Sequence, residues 1–158
     1  MDITAIGVGL LLFSQGRLLT VKELQEKPHY HKVAGMLSFP LETFEKKDRD
    51  IQATVHRLLQ EELGISSEEI ALWGIAPKIF KPIPGRADIA MFYGVGTFLG
   101  NPDREFRPTD SDVEIAGWKT PAELLAEKSI RVEVRPTLED FFLRNRDDFS
   151  LRNQRNFK

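Results

Sequence analysis

The pattern of apolar and polar positions predicts extended segments in the first forty residues. Ile3 to Phe13 and Arg17 to Leu24 are apolar-rich runs separated by Ser14-Gln-Gly16, a short turn with glycine where a positive φ is easiest. We therefore expect a β-hairpin. Gln25 to Ala34 shows no clear period and is expected to be a loop. Gly35 to Pro40 is expected to be a short strand or an extended piece, ending at a proline that cannot donate to a strand ladder.

An amphipathic helix is predicted from Asp50 to Leu63, where apolar residues recur at steps of three and four. Asp48 or Asp50 can cap its start, and Gly64 can supply the left-handed residue that ends it. Thr120, followed by proline, is a typical cap for a later helix. Beyond the central helix, we predict strands at Ile70–Phe80, Ala87–Phe98 and Val113–Trp118, and helices at Pro121–Lys128 and from about Pro136 through Leu143.

The length and element order predict one mixed α/β (α+β) domain. A chain of 158 residues can bury a single good core. We expect this domain to cover residues 1–143. Residues 144–158 are polar with little to bury, and are expected to form an extension or a frayed tail.

Composition excludes several classes of protein. The 22 basic and 24 acidic residues give a net charge of -2, so no global field favours wrapping nucleic acid or coating a membrane. The absence of cysteine excludes disulfide frameworks, Fe-S ligation and thiol chemistry, and it fits a cytoplasmic protein. Asp147 and Asp148 interrupt the basic tail, which further disfavours nucleic-acid binding.

Two adjacent carboxylates, Glu61 and Glu62, end the predicted helix. Residues 58, 61 and 62 lie at i, i+3 and i+4, so they share a face on which Leu58 contributes no carboxylate. Such a pair makes a hard oxygen site suited to Mg2+ or Mn2+, which keep waters and phosphates as further ligands. Taken alone, the same sequence is also common at solvated helix ends.

The segment from Gly35 to Ile65 resembles the Nudix hydrolase box, a loop-helix-loop written Gly-x5-Glu-x7-Arg-Glu-U-x-Glu-Glu-x-Gly-U, with U aliphatic. Phe39-Pro40 before the box and Asp112 to Leu125 after it are similar to the family's surroundings. The resemblance covers most of residues 3–126 and implies a Nudix-like α/β/α sandwich with a mixed central sheet and a loop-helix-loop metal site. The second half of the box matches at Arg57, Leu59, Glu61, Glu62, Gly64 and Ile65.

The chain also departs from the family pattern. Leu41-Glu42 stands where the family usually has Gly-Gly. The box glutamate falls on Asp48, one residue farther from Arg57 than in the pattern. Leu58 occupies the position that in the family supplies a carboxylate to the metal or to the attacking water. Leucine can do neither.

Two outcomes follow from Leu58. Glu42 and Glu45 could restore the lost oxygen ligand and give an altered, working site. Alternatively, the fold is kept without hydrolysis and binds a nucleotide-like ligand as a regulatory or interaction module. Retention of both Glu61 and Glu62 favours the first outcome, because carboxylates sharing a site repel one another unless a cation offsets them.

The resemblance implies hydrolysis of a nucleoside diphosphate linked to another group, with Mg2+ or Mn2+ as cofactor. On this hypothesis Glu61 and Glu62 are metal ligands, and Glu42 is an additional ligand. Glu45 is a ligand or a partner of Arg57. Arg57 would pin the loop to the helix by a charge-assisted pair.

Other residues are candidates for substrate binding. Asp112 and Glu114 lie where the family often places a further acid, although simple surface exposure is about as common for carboxylates. In the predicted loop, His29 and His31 lack a third zinc ligand at convincing spacing. Together with Tyr30, they could instead stack on a base or ring of the substrate. The expected partner is a small nucleotide-like substrate, with no membrane, and a homodimer is one expected assembly because dimers are common in the family. The remaining substrate-binding candidates are His29, Tyr30, His31 and Arg86.

Overall fold

The computed structural model describes residues 3–28, 32–82 and 88–145. Seven strands and three α-helices account for most of this part of the chain. A π-helical turn, Leu59–Leu63, continues the first helix, and a 3-10 turn, Ser67–Glu69, follows it. The strands are β1 Ile3–Ser14, β2 Arg17–Glu23, β3 Leu37–Ser38, β4 Leu41–Thr43, β5 Ile70–Phe80, β6 Asp88–Phe98 and β7 Val113–Lys119; the helices are α1 Ile51–Leu58, α2 Pro121–Leu125 and α3 Val134–Arg144.

The strands form one mixed sheet with the order β3-β2-β1-β6-β5, in which β4 also pairs with β1 and β7 with β2. The β1 and β6 strands are parallel, and the other pairs are antiparallel. The predicted mixed α+β fold is therefore confirmed.

Helices cover both faces of this sheet, and β1 shows why. Its side chains alternate between the two faces, as a strand's period of two requires. Leu10 and Leu12 pack in a core cluster with Leu59 of the central helix. Leu11 packs on the opposite face with Phe141 of α3. A central strand with two buried faces is apolar throughout, which explains the uninterrupted run in the sequence.

Most of the predicted elements are present, with shifts at their ends. The β1–β2 turn has positive φ at both Gln15 (52°) and Gly16 (75°). The helix at Pro121 ends at Leu125, three residues before the predicted end, and α3 begins at Val134, two residues before the predicted start. These differences lie at helix ends, where local sequence signals are weakest.

The central helix begins and ends at residues that the sequence already marks as caps. Asp50 caps α1, because its Oδ1 accepts the N–H of Ala53 at 2.8 Å. Gly64 ends the π-helical turn with φ 66°. A side chain at this position would collide with the backbone carbonyl of Arg107, so Gly64 also lets the loop before β7 lie against the helix end.

Within residues 3–28, 32–82 and 88–145, no helix is long and apolar enough to cross a membrane. Residues 146–158 lie outside the described part, so the proposed tail remains a prediction.

Candidate active site

Arg57, in the last turn of α1, is surrounded by acidic side chains. Its Nε and Nη2 donate to the two oxygens of Asp48 at 3.1 and 2.8 Å. Its Nη1 contacts Glu42 and lies 3.4 Å from Glu61 and 3.6 Å from Glu45. We call these five residues the Arg57 cluster. One largely buried guanidinium thus joins β4, the following loop and the helix.

Asp48 is the most firmly held acid of the cluster. Besides the two bonds from Arg57, it accepts the N–H of Glu45 at 2.9 Å and the hydroxyl of Thr54 at 3.1 Å. The hydrogen bonds from Arg57 hold the pKa of Asp48 well below its usual range. Asp48 therefore stays ionised and fixes the loop to the helix, while Asp50 alone caps the helix.

A second group of acids lies beside the Arg57 cluster. Carboxylate oxygens of Glu42, Glu62 and Asp110 all lie within 4.8 Å of one another. We call these three residues the acid triad. Glu62 is only 3% exposed, and its Oε2 accepts the N–H of Leu41 at 3.0 Å. Glu42 belongs to both groups.

Asp110 reaches the triad because its loop is bound to the end of the central helix. The N–H groups of Thr109 and Asp110 both donate to the carbonyl of Glu61 at 2.9 Å. Asp110 Oδ1 also accepts the N–H of Asp112 at 2.9 Å. The carbonyl of Glu61, left unpaired by the ending helix, thus anchors the loop.

The acid triad is short of positive charge. Burial raises the pKa of Glu62 well above its usual value, and the charges of Glu42 and Glu23 add to this, although the hydrogen bond from Leu41 and the charge of Arg131 oppose it. Burial also raises the pKa of Glu42, although Arg57 opposes this. Among the described residues, no lysine or arginine pairs with Glu62. Three clustered oxygen donors with too little countercharge fit a hard divalent cation such as Mg2+ or Mn2+.

Four of the predicted site residues lie near one another and differ in surroundings. Glu42 and Glu62 are in the acid triad, whereas Glu61 and Glu45 are not. The Glu61 side chain is 40% exposed and faces Arg57. The exposed Glu45 lies 3.2 Å from Lys47 as well as near Arg57. Their roles as ligands remain predictions.

The other candidates lie farther along the chain. Asp112 pairs with Lys27, and Glu114 pairs with Lys22 across the β2–β7 ladder. Asp110 was not among the predicted residues. The sequence shows only that Asp110 lies two residues before Asp112 in an acidic stretch. The course of the loop before β7 brings its carboxylate close to Glu62. The candidates His29, Tyr30, His31 and Arg86 lie outside the described residues.

Leu58 is wholly buried and packs in the core with Val55 and Leu59. The position is therefore part of the contact between the helix and the sheet. Near Glu62, carboxylates come instead from Glu42 on β4 and Asp110 in the loop before β7.

Comparisons with known proteins agree with this architecture. No curated protein matches the chain. Among solved structures, it is similar to a NUDIX hydrolase from Nitrosomonas europaea, with 22% identity, 88% of each chain covered and a TM-score of 0.63. It is also similar to the NUDIX domain of Shewanella oneidensis NrtR complexed with ADP ribose, with 14% identity, 89% of this chain and 90% of that one covered, and a TM-score of 0.62.

A third similar structure is a bifunctional NMN adenylyltransferase/ADP ribose pyrophosphatase from Francisella tularensis. It shows 17% identity and a TM-score of 0.63, with 91% of this chain and 42% of that one covered. At these identities the likeness concerns the fold. The NUDIX domain family model matches residues 3–141, nearly the whole described chain. The chain therefore belongs to the NUDIX family.

Proposed function

We propose that this protein is a metal-dependent hydrolase of a nucleoside-diphosphate-linked or related pyrophosphate substrate. The observation that carries the proposal is the acid triad, in which a buried Glu62 lies beside Glu42 and Asp110 without sufficient countercharge. The similar proteins from Shewanella oneidensis and Francisella tularensis are described with ADP ribose, which makes compounds of this type the first substrates to test.

Glu42, Glu62 and Asp110 would hold Mg2+ or Mn2+. Such an ion supplies electrostatic stabilisation of the phosphoryl oxygens and a lowered pKa for bound water. The Arg57 cluster positions this set, because Arg57 contacts Glu42 and is itself fixed by Asp48. Glu61 and Glu45 lie close enough to Arg57 to serve the same positioning purpose.

A second function follows from Leu58. Its side chain is in the core, so one carboxylate of the family pattern is missing from the site. If Glu42 and Asp110 do not replace its chemistry, the domain would bind a nucleotide-like ligand without turnover. Binding and hydrolysis must therefore be measured separately.

The test compares the wild type with Glu62→Gln in the presence of Mg2+ or Mn2+ and a panel of nucleoside-diphosphate-linked compounds, including ADP-ribose. We expect the variant to lose about a thousandfold in rate, because several kcal/mol of transition-state stabilisation depend on the ion. Glu68→Gln is the matched control, since Glu68 is exposed on the following 3-10 turn.

Equal product release by the wild type and Glu62→Gln would remove Glu62 from the mechanism. Calorimetry with the same compounds distinguishes the second function. Binding by the wild type with no product in any assay would identify a binding module.

A further inference from the structure

The loop that carries Asp110 is long and is held at several points. It runs from Leu99 to Asp112, between β6 and β7. Phe106 anchors its middle in the core, where its ring centroid lies 5.3 Å from that of Phe98. Loops longer than about 12 residues are uncommon in compact domains and are often functional. The end of this loop, where Asp110 lies, is held by hydrogen bonds and an ion pair.

The backbone of Asp112 holds the carboxylate of Asp110. The Asp112 N–H donates to Asp110 Oδ1 at 2.9 Å. A hydrogen bond from a backbone N–H to a carboxylate is charge-assisted and restricts the rotation of the carboxylate. The direction in which Asp110 presents its oxygens to Glu42 and Glu62 therefore depends on where the Asp112 backbone lies.

Asp112 is in turn held by the loop that leaves β2, residues 24–36. The N–H of Leu24 donates to the Asp112 carbonyl at 2.8 Å. Lys27 Nζ contacts Asp112 Oδ2 at 2.5 Å. The N–H, the carbonyl and the carboxylate of Asp112 are therefore all engaged. A single aspartate connects the β2–β3 loop to Asp110.

The backbone of Lys27 is also fixed. Its N–H donates to the carbonyl of Lys32 at 3.0 Å, and the Lys32 N–H donates to the Lys27 carbonyl at 3.1 Å. The ion pair between Lys27 and Asp112 thus joins two segments that are each held by backbone bonds. The two side chains are 38% and 25% exposed. A pair this exposed contributes little to the stability of a domain, so its removal tests position rather than folding.

Lys27 also acts on the acid triad through its charge. Its pKa is raised, first by the hydrogen bond to Asp112 and then by the charges of Asp112, Asp110 and Glu23. A positive charge near the triad repels a divalent cation. The charge of Lys27 therefore weakens metal binding, whereas its hold on Asp112 strengthens metal binding by fixing Asp110. The two effects have opposite signs and can be separated by experiment.

We propose that Lys27 and Asp112 form a positioning pair, which sets the orientation of Asp110 for metal binding without contacting the ion. This inference rests on the proposed hydrolase function, in which the acid triad holds Mg2+ or Mn2+. Groups that hold a metal ligand from behind commonly change metal affinity by about tenfold or more when they are removed.

The experiment measures the Mn2+ affinity of the full-length protein by EPR titration. We expect Lys27→Met to bind Mn2+ about tenfold more weakly than the wild type, although a nearby positive charge has been removed. Lys27→Arg should restore most of the affinity, because arginine can also donate a charge-assisted hydrogen bond to Asp112. The double variant Lys27→Met/Asp112→Asn leaves the net charge unchanged and should still bind more weakly.

Lys22→Met is the matched control. Lys22 pairs with Glu114 across the same β2–β7 ladder, so the variant loses the same charge. Within residues 3–28, 32–82 and 88–145, neither member of this pair is hydrogen-bonded to Asp110. We expect its Mn2+ affinity to equal or slightly exceed that of the wild type. The thermal unfolding temperatures of metal-free Lys22→Met and Lys27→Met should be equal.

Mn2+ binding by Lys27→Met that equals or exceeds that of the wild type would overturn the inference, because charge would then be the main effect of Lys27. An equal loss of affinity in Lys22→Met would also overturn it. Mn2+ binding that depends on Lys27, without hydrolysis of any compound in the substrate panel, would contradict the hydrolase function and support the positioning role. No Mn2+ binding by the wild type at millimolar concentration would contradict both.

Discussion

The Arg57 cluster and the acid triad are built from the same helix and differ in charge balance. In the Arg57 cluster, one guanidinium contacts four acids, and Asp48 holds it with two hydrogen bonds. In the triad, three carboxylates converge, and among the described residues only Glu42 contacts a cationic side chain. In the first group, every carboxylate contacts the Arg57 guanidinium. In the second, we propose that a metal ion supplies the missing positive charge.

Glu61 and Glu62 are neighbours in sequence, yet one belongs to the Arg57 cluster and the other to the acid triad. Glu61 is 40% exposed and faces Arg57, whereas Glu62 is 3% exposed and accepts a backbone N–H. Consecutive side chains on a helical turn point in different directions, so these two meet different surroundings. Two identical side chains therefore acquire one role in the fold and one proposed role in metal binding.

The largest expected effect tests whether a box carboxylate can be restored at Leu58. Leu58→Glu should lower the free energy of unfolding by about 4 kcal/mol or more, because it buries an unpaired charge and removes core packing. It should not raise hydrolysis. Urea denaturation measures the loss, and Leu58→Met, expected to cost less than about 1.5 kcal/mol, is the control. A stable variant with increased turnover would contradict the core role of Leu58.

Arg57→Met removes the cation of the balanced group. We expect a loss of about 3 kcal/mol in unfolding free energy, since Asp48 and Glu42 would be left without their partner. Arg107→Met is the control, because the Arg107 side chain is 81% exposed and its ion pair within the described part of the chain is with the equally exposed Glu105. If both variants are equally stable, Arg57 does not hold the loop to the helix.

The smallest expected effect concerns Glu62 in metal-free protein. Its pKa is raised in the folded state by burial, so the native state gains stability from its protonation below about pH 4.5 and loses that stability as pH rises through the folded pKa. Glu62→Gln should therefore be more stable than the wild type at pH 8, by on the order of 1 kcal/mol, and similar at pH 4.

Thermal or urea unfolding in the presence of a chelator measures this difference. Saturating Mn2+ should reverse the order at pH 8, because the ion stabilises only the protein with the intact triad. A variant that is less stable than the metal-free wild type at pH 8 would show that Glu62 already has sufficient countercharge.

Sequence reasoning predicted the elements well where the signal was local. The β1–β2 hairpin depends on a glycine-containing turn between apolar runs, and the helix start depends on the Asp50 cap. The choice between Asp48 and Asp50 could not be made from sequence, because it depends on the position of Arg57 nine residues later. Helix α3 likewise begins earlier than predicted because Val134 is buried against the core.

The candidate site was predicted only in part. The spacing from Arg57 to Gly64 identified the helix end with its two carboxylates, and the resemblance named the family. The resemblance could not show that Asp110 rather than Asp112 lies beside Glu62, since this depends on the hydrogen bonds from the N–H groups of Thr109 and Asp110 to the Glu61 carbonyl.

The sequence by itself determined the hairpin, the amphipathic helix and the acidic helix end, because these follow from the periodicity, capping and turn preferences of neighbouring residues. Only the tertiary structure decided which acids are paired and which are not. Glu42, Asp48 and Asp110 come from separate segments, and their distances to Arg57 and Glu62 depend on how β4, the following loop and the loop before β7 pack against one helix. Burial and countercharge are properties of that packing, and they set the chemistry of each carboxylate.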